Sequence, residues 1–281
     1  MPRLALLSWS GLLVLGSGCV YLRAPETPMP TVFHASASGD AAHLIVLLPG
    51  LADGPEDFAD NGFVDAIRRA NPRFDVVATD AHFGYYRTRT LGERLYADVL
   101  EPAAARYDEI WLVGISLGGI GGAIYAQEHP GAIDGLILLA PYMGDDDIAR
   151  DVAAAGGLAS WTPPPLESIE GEDRRKFHEV WRFYRGYVTD PANMPRLYLG
   201  YGEQDDFAPA IGLVAAALPP EQVQTRAGGH RWSVWRTVFE ALVPRALPAR
   251  CRRGPPPGLG LRRRTRVAAS RAAPCRSPSG P

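Results

Sequence analysis

Residues 110–128 read Ile-Trp-Leu-Val-Gly-Ile-Ser-Leu-Gly-Gly-Ile-Gly-Gly-Ala-Ile-Tyr-Ala-Gln-Glu. The first four are an unbroken apolar run, the pattern of a strand buried on both faces. From Leu117 to Glu128 the spacing is helical. Ser116 therefore falls on a sharp strand-to-helix turn. Gly114 and Gly118 flank it, and glycine lets the backbone turn tightly without a Cβ clash. A serine placed there stands at a helix N-terminus, where free N–H groups and the helix dipole favour developing negative charge.

Working outward, the same alternation repeats. His43–Leu48, Asp75–Ala78, Gly135–Leu139 and Arg196–Leu199 are further apolar runs, with Gln222–Thr225 a weaker and more polar one. Helical patterns lie between them, over 56–70, 90–106, 117–128, 209–218 and 232–242. This predicts one α/β domain over residues 43–243 with a doubly wound, mostly parallel sheet. In such folds the reactive groups collect beyond the carboxyl ends of the strands. Residues 141–195 are too long for a simple crossover, so they are expected to be a small helical insertion. Its aromatics, Phe177, Trp181, Phe183, Tyr184 and Tyr187, either form the insertion's own core or line a pocket.

Gly114-Ile115-Ser116-Leu117-Gly118 in this context resembles the nucleophile elbow of the α/β-hydrolase superfamily, specifically its serine carboxylesterases. The resemblance covers about residues 43–243 and implies a Ser-His-Asp triad in the order nucleophile, acid, base. It makes Ser116 the nucleophile. His230, in Gly228-Gly229-His230-Arg-Trp-Ser-Val-Trp, stands where the superfamily carries its base, and the run is similar to esterases with G-G-H-x-W-x-x-W. His82 is the competing histidine. The acid is expected in Gly200-Tyr-Gly-Glu-Gln-Asp205-Asp206, where the family's G-x-x-D selects Asp205 and leaves Asp206 as the alternative. The oxyanion hole is implied at the backbone N–H of Leu117 and of Leu51, with Ala52 next after Leu51. His82 and Tyr85, in a loop with Arg87 and Arg89, are expected to overhang the site as substrate contacts. No cofactor is implied, and no metal motif is present; Asp145-Asp146-Asp147 reads as a helix start.

The resemblance implies hydrolysis of a small-molecule carboxylic ester. A lysophospholipid or thioester substrate is the alternative, and a non-catalytic envelope binding protein on the same fold a second one.

The ends read differently. Residues 1–19 carry Arg3, a short apolar stretch and Gly16-Ser17-Gly18 before Cys19. They resemble the lipobox of bacterial lipoproteins, with Cys19 the lipidation site and a bacterial envelope location implied. An ordinary cleaved signal and an uncleaved anchor are the other readings. Twelve apolar residues span about 18 Å as a helix, short of a bilayer core of about 30 Å. Residues 20–42 are expected to be a linker and 244–281 a disordered Arg/Pro-rich tail. Residues 245–281 hold ten of the chain's 29 basic residues and none of its 31 acidic ones. The net charge of −2 thus hides an acidic body. An acidic body excludes nucleic acid as its partner.

Overall fold

The computed structural model describes residues 22–248. The signal or lipobox with Cys19, and the chain from residue 249 on, lie outside the described residues. Seven strands form one sheet: β1 Thr31–His34, β2 His43–Leu48, β3 Phe74–Thr79, β4 Glu109–Ile115, β5 Gly135–Leu139, β6 Arg196–Gly202 and β7 Val223–Arg226. Their order is β1-β3-β2-β4-β5-β6-β7. Only β1 runs antiparallel, against β3; every other pairing is parallel. The doubly wound, mostly parallel α/β sheet expected from the apolar runs is present.

Alternation along the central strands sends side chains to two cores. Leu44, Val46 and Leu48 of β2 pack with Ile120 and Ala123 of the helix Leu117–Glu128. Ile45 and Leu47 face the opposite side, with Phe63 and Ile67 of the helix Phe63–Ala70 and Phe239 and Leu242 of the helix Trp232–Ala246. Phe63 and Phe239 stack at 4.2 Å and close that second layer. Burial on both faces is why these strands carry no polar alternation.

Several boundaries differ from expectation, each for a local reason. The helix expected over 56–70 breaks into Asp57–Asp60 and Phe63–Ala70, because Gly62 turns the chain through a φ of +79°. The one over 90–106 contains a π-helical turn at Tyr96–Leu100, where the Glu101 N–H reaches back to the Tyr96 carbonyl. Pro102 follows and has no N–H to continue the regular ladder. In the insertion, the helices Asp146–Ala154 and Glu172–Thr189 flank the triple proline. Trp181 and Tyr184 are buried there, and the Trp181 indole donates to the Met143 carbonyl at 3.0 Å.

The expected linker 20–42 is corrected in part. Thr31–His34 is the edge strand, Met29 is buried, and the Met29 N–H donates to Asp98 at 2.9 Å. Arg23 pairs with Asp80, beyond the end of β3. Four residues directly after Pro28 and Pro30, with Phe33 exposed, leave little apolar signal, which an edge strand does not need.

The domain's C-terminal boundary also moves outward from 243. The last helix runs to Ala246 with Pro244 inside it, and Leu247 is only 2% exposed. Leu247→Ala is expected to cost about 2–5 kcal/mol in urea denaturation; a change within about 0.5 kcal/mol would place Leu247 outside the core.

Candidate active site

The parallel register sets the site. Leu48 of β2 lies opposite Gly114 of β4, so the loop after β2 and the turn after β4 emerge side by side. Ser116 takes φ +51° and ψ −111°, a conformation a non-glycine residue adopts only under constraint. The constraint is visible. Ser116 N–H donates to the Leu139 carbonyl at 2.9 Å, and its own carbonyl accepts from Gly119 at 2.9 Å and Tyr142 at 2.9 Å. A Cβ on Gly114 would collide with the Gly118 carbonyl, and one on Gly118 with the Leu48 carbonyl. These two positions must be glycine for the turn to pack this tightly.

Two loops from β6 and β7 deliver the other groups. Glu203 N–H donates to Arg226 O at 2.8 Å, and Gln204 N–H to Gly228 O at 3.0 Å. The Gln204 side-chain carbonyl accepts from Gly228 N–H in return. Gly202 and Gly228 touch so closely that a side chain at 202 would strike the Gly228 carbonyl. This zipper carries Asp205 to His230 across 25 residues of sequence. The Asp205 carboxylate lies 2.8 Å from His230 Nδ1, and His230 Nε2 lies 2.9 Å from Ser116 Oγ.

The environments of the three differ. The Asp205 carboxylate is fully buried, and its other oxygen accepts the Phe207 N–H at 3.0 Å. The His230 side chain is 31% exposed. Phe207 and Trp235 meet the imidazole edge-to-face at 5.2 and 4.8 Å and fix its plane. With Asp205 ionised, Nδ1 carries the proton and Nε2 is free to accept from the serine. Asp206, the alternative acid, is exposed, and the carboxylate bonded to His230 Nδ1 is that of Asp205.

The expected oxyanion donors are adjacent. A Cβ on Gly50 would lie 3.8 Å from the Ser116 Cβ, so the loop after β2 abuts the serine. Asp53 N–H donates to the Gly50 carbonyl at 3.3 Å, closing a four-residue turn with Leu51 and Ala52 at its tip. Leu117 is the first residue of its helix. Among the described residues neither the Leu51 nor the Leu117 amide donates to a protein acceptor.

One of the two expected substrate contacts, Tyr85, is corrected. Tyr85 is fully buried, and its hydroxyl binds both the carbonyl (2.9 Å) and the N–H (3.0 Å) of Glu26. It holds the N-terminal segment and faces no substrate. His82 is 5% exposed and caps the helix Phe83–Arg87 by accepting the Gly84 N–H at 3.1 Å on Nδ1. Burial, aided by Arg23, lowers its pKa. It still lines a cavity of about 460 Å³ beside Leu51–Glu56, with Arg23 and Asp80; Ser116, Asp205 and His230 do not. Arg89 pairs with Glu172 and Asp173 of the insertion, at 2.8 and 2.7 Å. Asp145 and Asp147 pair with Arg174, consistent with a helix start.

Chain order conceals three neighbours of the site: Tyr142 and Phe207 at 5.4 Å from each other, and Asp53, bonded to Trp232. The spacing of Trp232 and Trp235, one helical turn apart after His230, is the available signal for the last.

Residues 43–206, more than half of the chain, match the family model described as alpha/beta hydrolase fold. The protein is a member of the α/β-hydrolase family. No curated protein matches it in sequence. Among solved structures it is similar to a ferulic acid esterase, at 16% identity and a TM-score of 0.54, covering 77% of this chain and 91% of that one. Est1E from Butyrivibrio proteoclasticus is 16% identical, with a TM-score of 0.51 and coverage of 78% and 92%. A hydrolase from Pseudomonas aeruginosa PA01 is 21% identical, with a TM-score of 0.50 and coverage of 79% and 94%. At these identities the likeness is one of fold.

Proposed function

We propose that the protein is a serine hydrolase that cleaves carboxylic esters through an acyl-enzyme intermediate. The observation that carries this is the relay from Ser116 Oγ to His230 Nε2 at 2.9 Å and from His230 Nδ1 to Asp205 at 2.8 Å. Serine is a poor nucleophile unless a base takes its proton in the attack. His230 removes that proton as Ser116 Oγ bonds to the ester carbonyl carbon. The carbonyl oxygen becomes an oxyanion, held by the Leu51 and Leu117 N–H groups. Such a donor contributes about 2.7–4 kcal/mol to lowering the barrier. His230 then gives its proton to the alkoxide as the C–O bond breaks, and the alcohol departs. Water, deprotonated by His230, attacks the acyl carbon, and His230 returns that proton to Ser116 Oγ as the acyl C–O bond breaks, releasing the carboxylic acid and free Ser116. Asp205 holds the imidazole orientation and stabilises its positive form throughout.

Lysophospholipids and thioesters would pass through the same steps. Half-buried Tyr142, Phe177 and Phe207, joined by edge contacts next to His230, support an apolar group on one side of the reacting carbon. A series of p-nitrophenyl esters from acetate to palmitate tests the class and bounds that group. Turnover that falls sharply beyond a given chain length supports a short-ester hydrolase. A rise toward palmitate favours the lipid reading. No turnover of any member would contradict both.

A further inference from the structure

The Asp53 carboxylate occupies an unusual position. It belongs to the turn that presents Leu51, yet it bonds to the helix that follows the base. Trp232 Nε1–H donates to Asp53 Oδ1 at 3.0 Å, across 179 residues of sequence. Its other oxygen folds over Gly50, where any Cβ would collide with it. The Asp53 N–H meanwhile closes the turn onto the Gly50 carbonyl. Both ends of Asp53 therefore hold the same four residues.

Trp232 is itself fixed. Phe58, Phe63 and Trp235 meet its ring edge-to-face at 5.7, 5.5 and 5.4 Å. Trp235 in turn meets the His230 imidazole at 4.8 Å. A rigid path thus runs from the base, through two indoles, to one carboxylate and the tip of the loop after β2. Burial pushes the Asp53 carboxyl up, and the Trp232 N–H pulls it back down.

We propose that Asp53 is a positioning residue: through Trp232 it locks the Leu51 amide in register with His230 and Ser116. This rests on the ester-hydrolase reading above. An oxyanion donor acts only at about 2.7–3.1 Å from the forming oxyanion. A displacement of about 1 Å is enough to lower the rate on the order of a hundredfold. The effect falls on the transition state, because the ground-state carbonyl is held less closely.

The test is a set of three variants assayed on one p-nitrophenyl ester, alongside a trifluoromethyl ketone that mimics the tetrahedral adduct. Asp53→Ala and Trp232→Phe are each expected to lower kcat about 10–100-fold with KM within about twofold. The inhibition constant of the ketone should rise by the same factor as kcat/KM falls. Asp53→Asn keeps a carbonyl for the indole N–H and should recover kcat to within about threefold of the wild type. If Asp53→Ala does not fold, Trp232→Phe decides alone. The proposal is overturned if the variants keep more than half of kcat, if the loss appears in KM only, or if Asp53→Asn is no better than Asp53→Ala. A wild-type protein that turns over no ester defeats the hydrolase reading itself, which these variants do not address.

Discussion

Replacing His230 with alanine is expected to lower kcat for ester hydrolysis about a millionfold, close to the effect of losing the serine itself. His230 Nε2 lies 2.9 Å from Ser116 Oγ, where the proposed mechanism needs its base. His82, the competing histidine of the sequence, is buried and committed to a helix cap, so it is not placed to take over. The fold should survive. The His230 side chain is 31% exposed, and its removal opens no core cavity. The lost edge contacts with Phe207 and Trp235 amount to about 1–3 kcal/mol together. A retained cooperative melt with kcat at the background rate is the expected pair of results. Activity within about a hundredfold of the wild type would show that another base serves Ser116.

Asp205→Asn is the second large effect, expected at about ten-thousandfold in kcat. The asparagine oxygen still accepts the Phe207 N–H, now at 3.0 Å from Asp205, so the loop keeps its shape. Its amide N–H, however, faces His230 Nδ1. That nitrogen must then be the unprotonated one, which puts the proton on Nε2 and blocks acceptance from serine. Asp206→Asn, one residue away and exposed, is expected to leave kcat within about twofold. Steady-state kinetics on both variants decides between the two carboxylates. A reversed pattern would make Asp206 the acid.

Much of this site is legible in the chain because its parts sit on local punctuation. Glycines 114 and 118 mark the elbow, and a strand end marks Asp205. The distance of 25 residues to His230 is closed by glycines 202 and 228, which no side-chain pattern announces but which the structure needs. The central strands are equally plain, since burial on both faces leaves unbroken runs such as His43–Leu48. Failures concentrate where tertiary contact overrides local signal. Thr31–His34 follows two prolines and owes its strand to β3. The tail expected from residue 244 begins later, since the last helix runs through Pro244 to Ala246 and Leu247 is buried. Tyr85 looks like a rim residue until the N-terminal segment is seen bound to its hydroxyl. Asp53 and Trp232 are far apart in sequence, and only the folded chain joins them.

The central claim is that Ser116 is an activated nucleophile. Reaction with a fluorophosphonate tests it most directly, because the phosphorus electrophile traps a serine whose proton is taken by a base. The expected result is one covalent adduct per chain, mapped to the peptide containing Ser116, and no adduct in Ser116→Ala or His230→Ala. A folded wild-type protein that stays unlabelled, or that is labelled equally in Ser116→Ala, would contradict it.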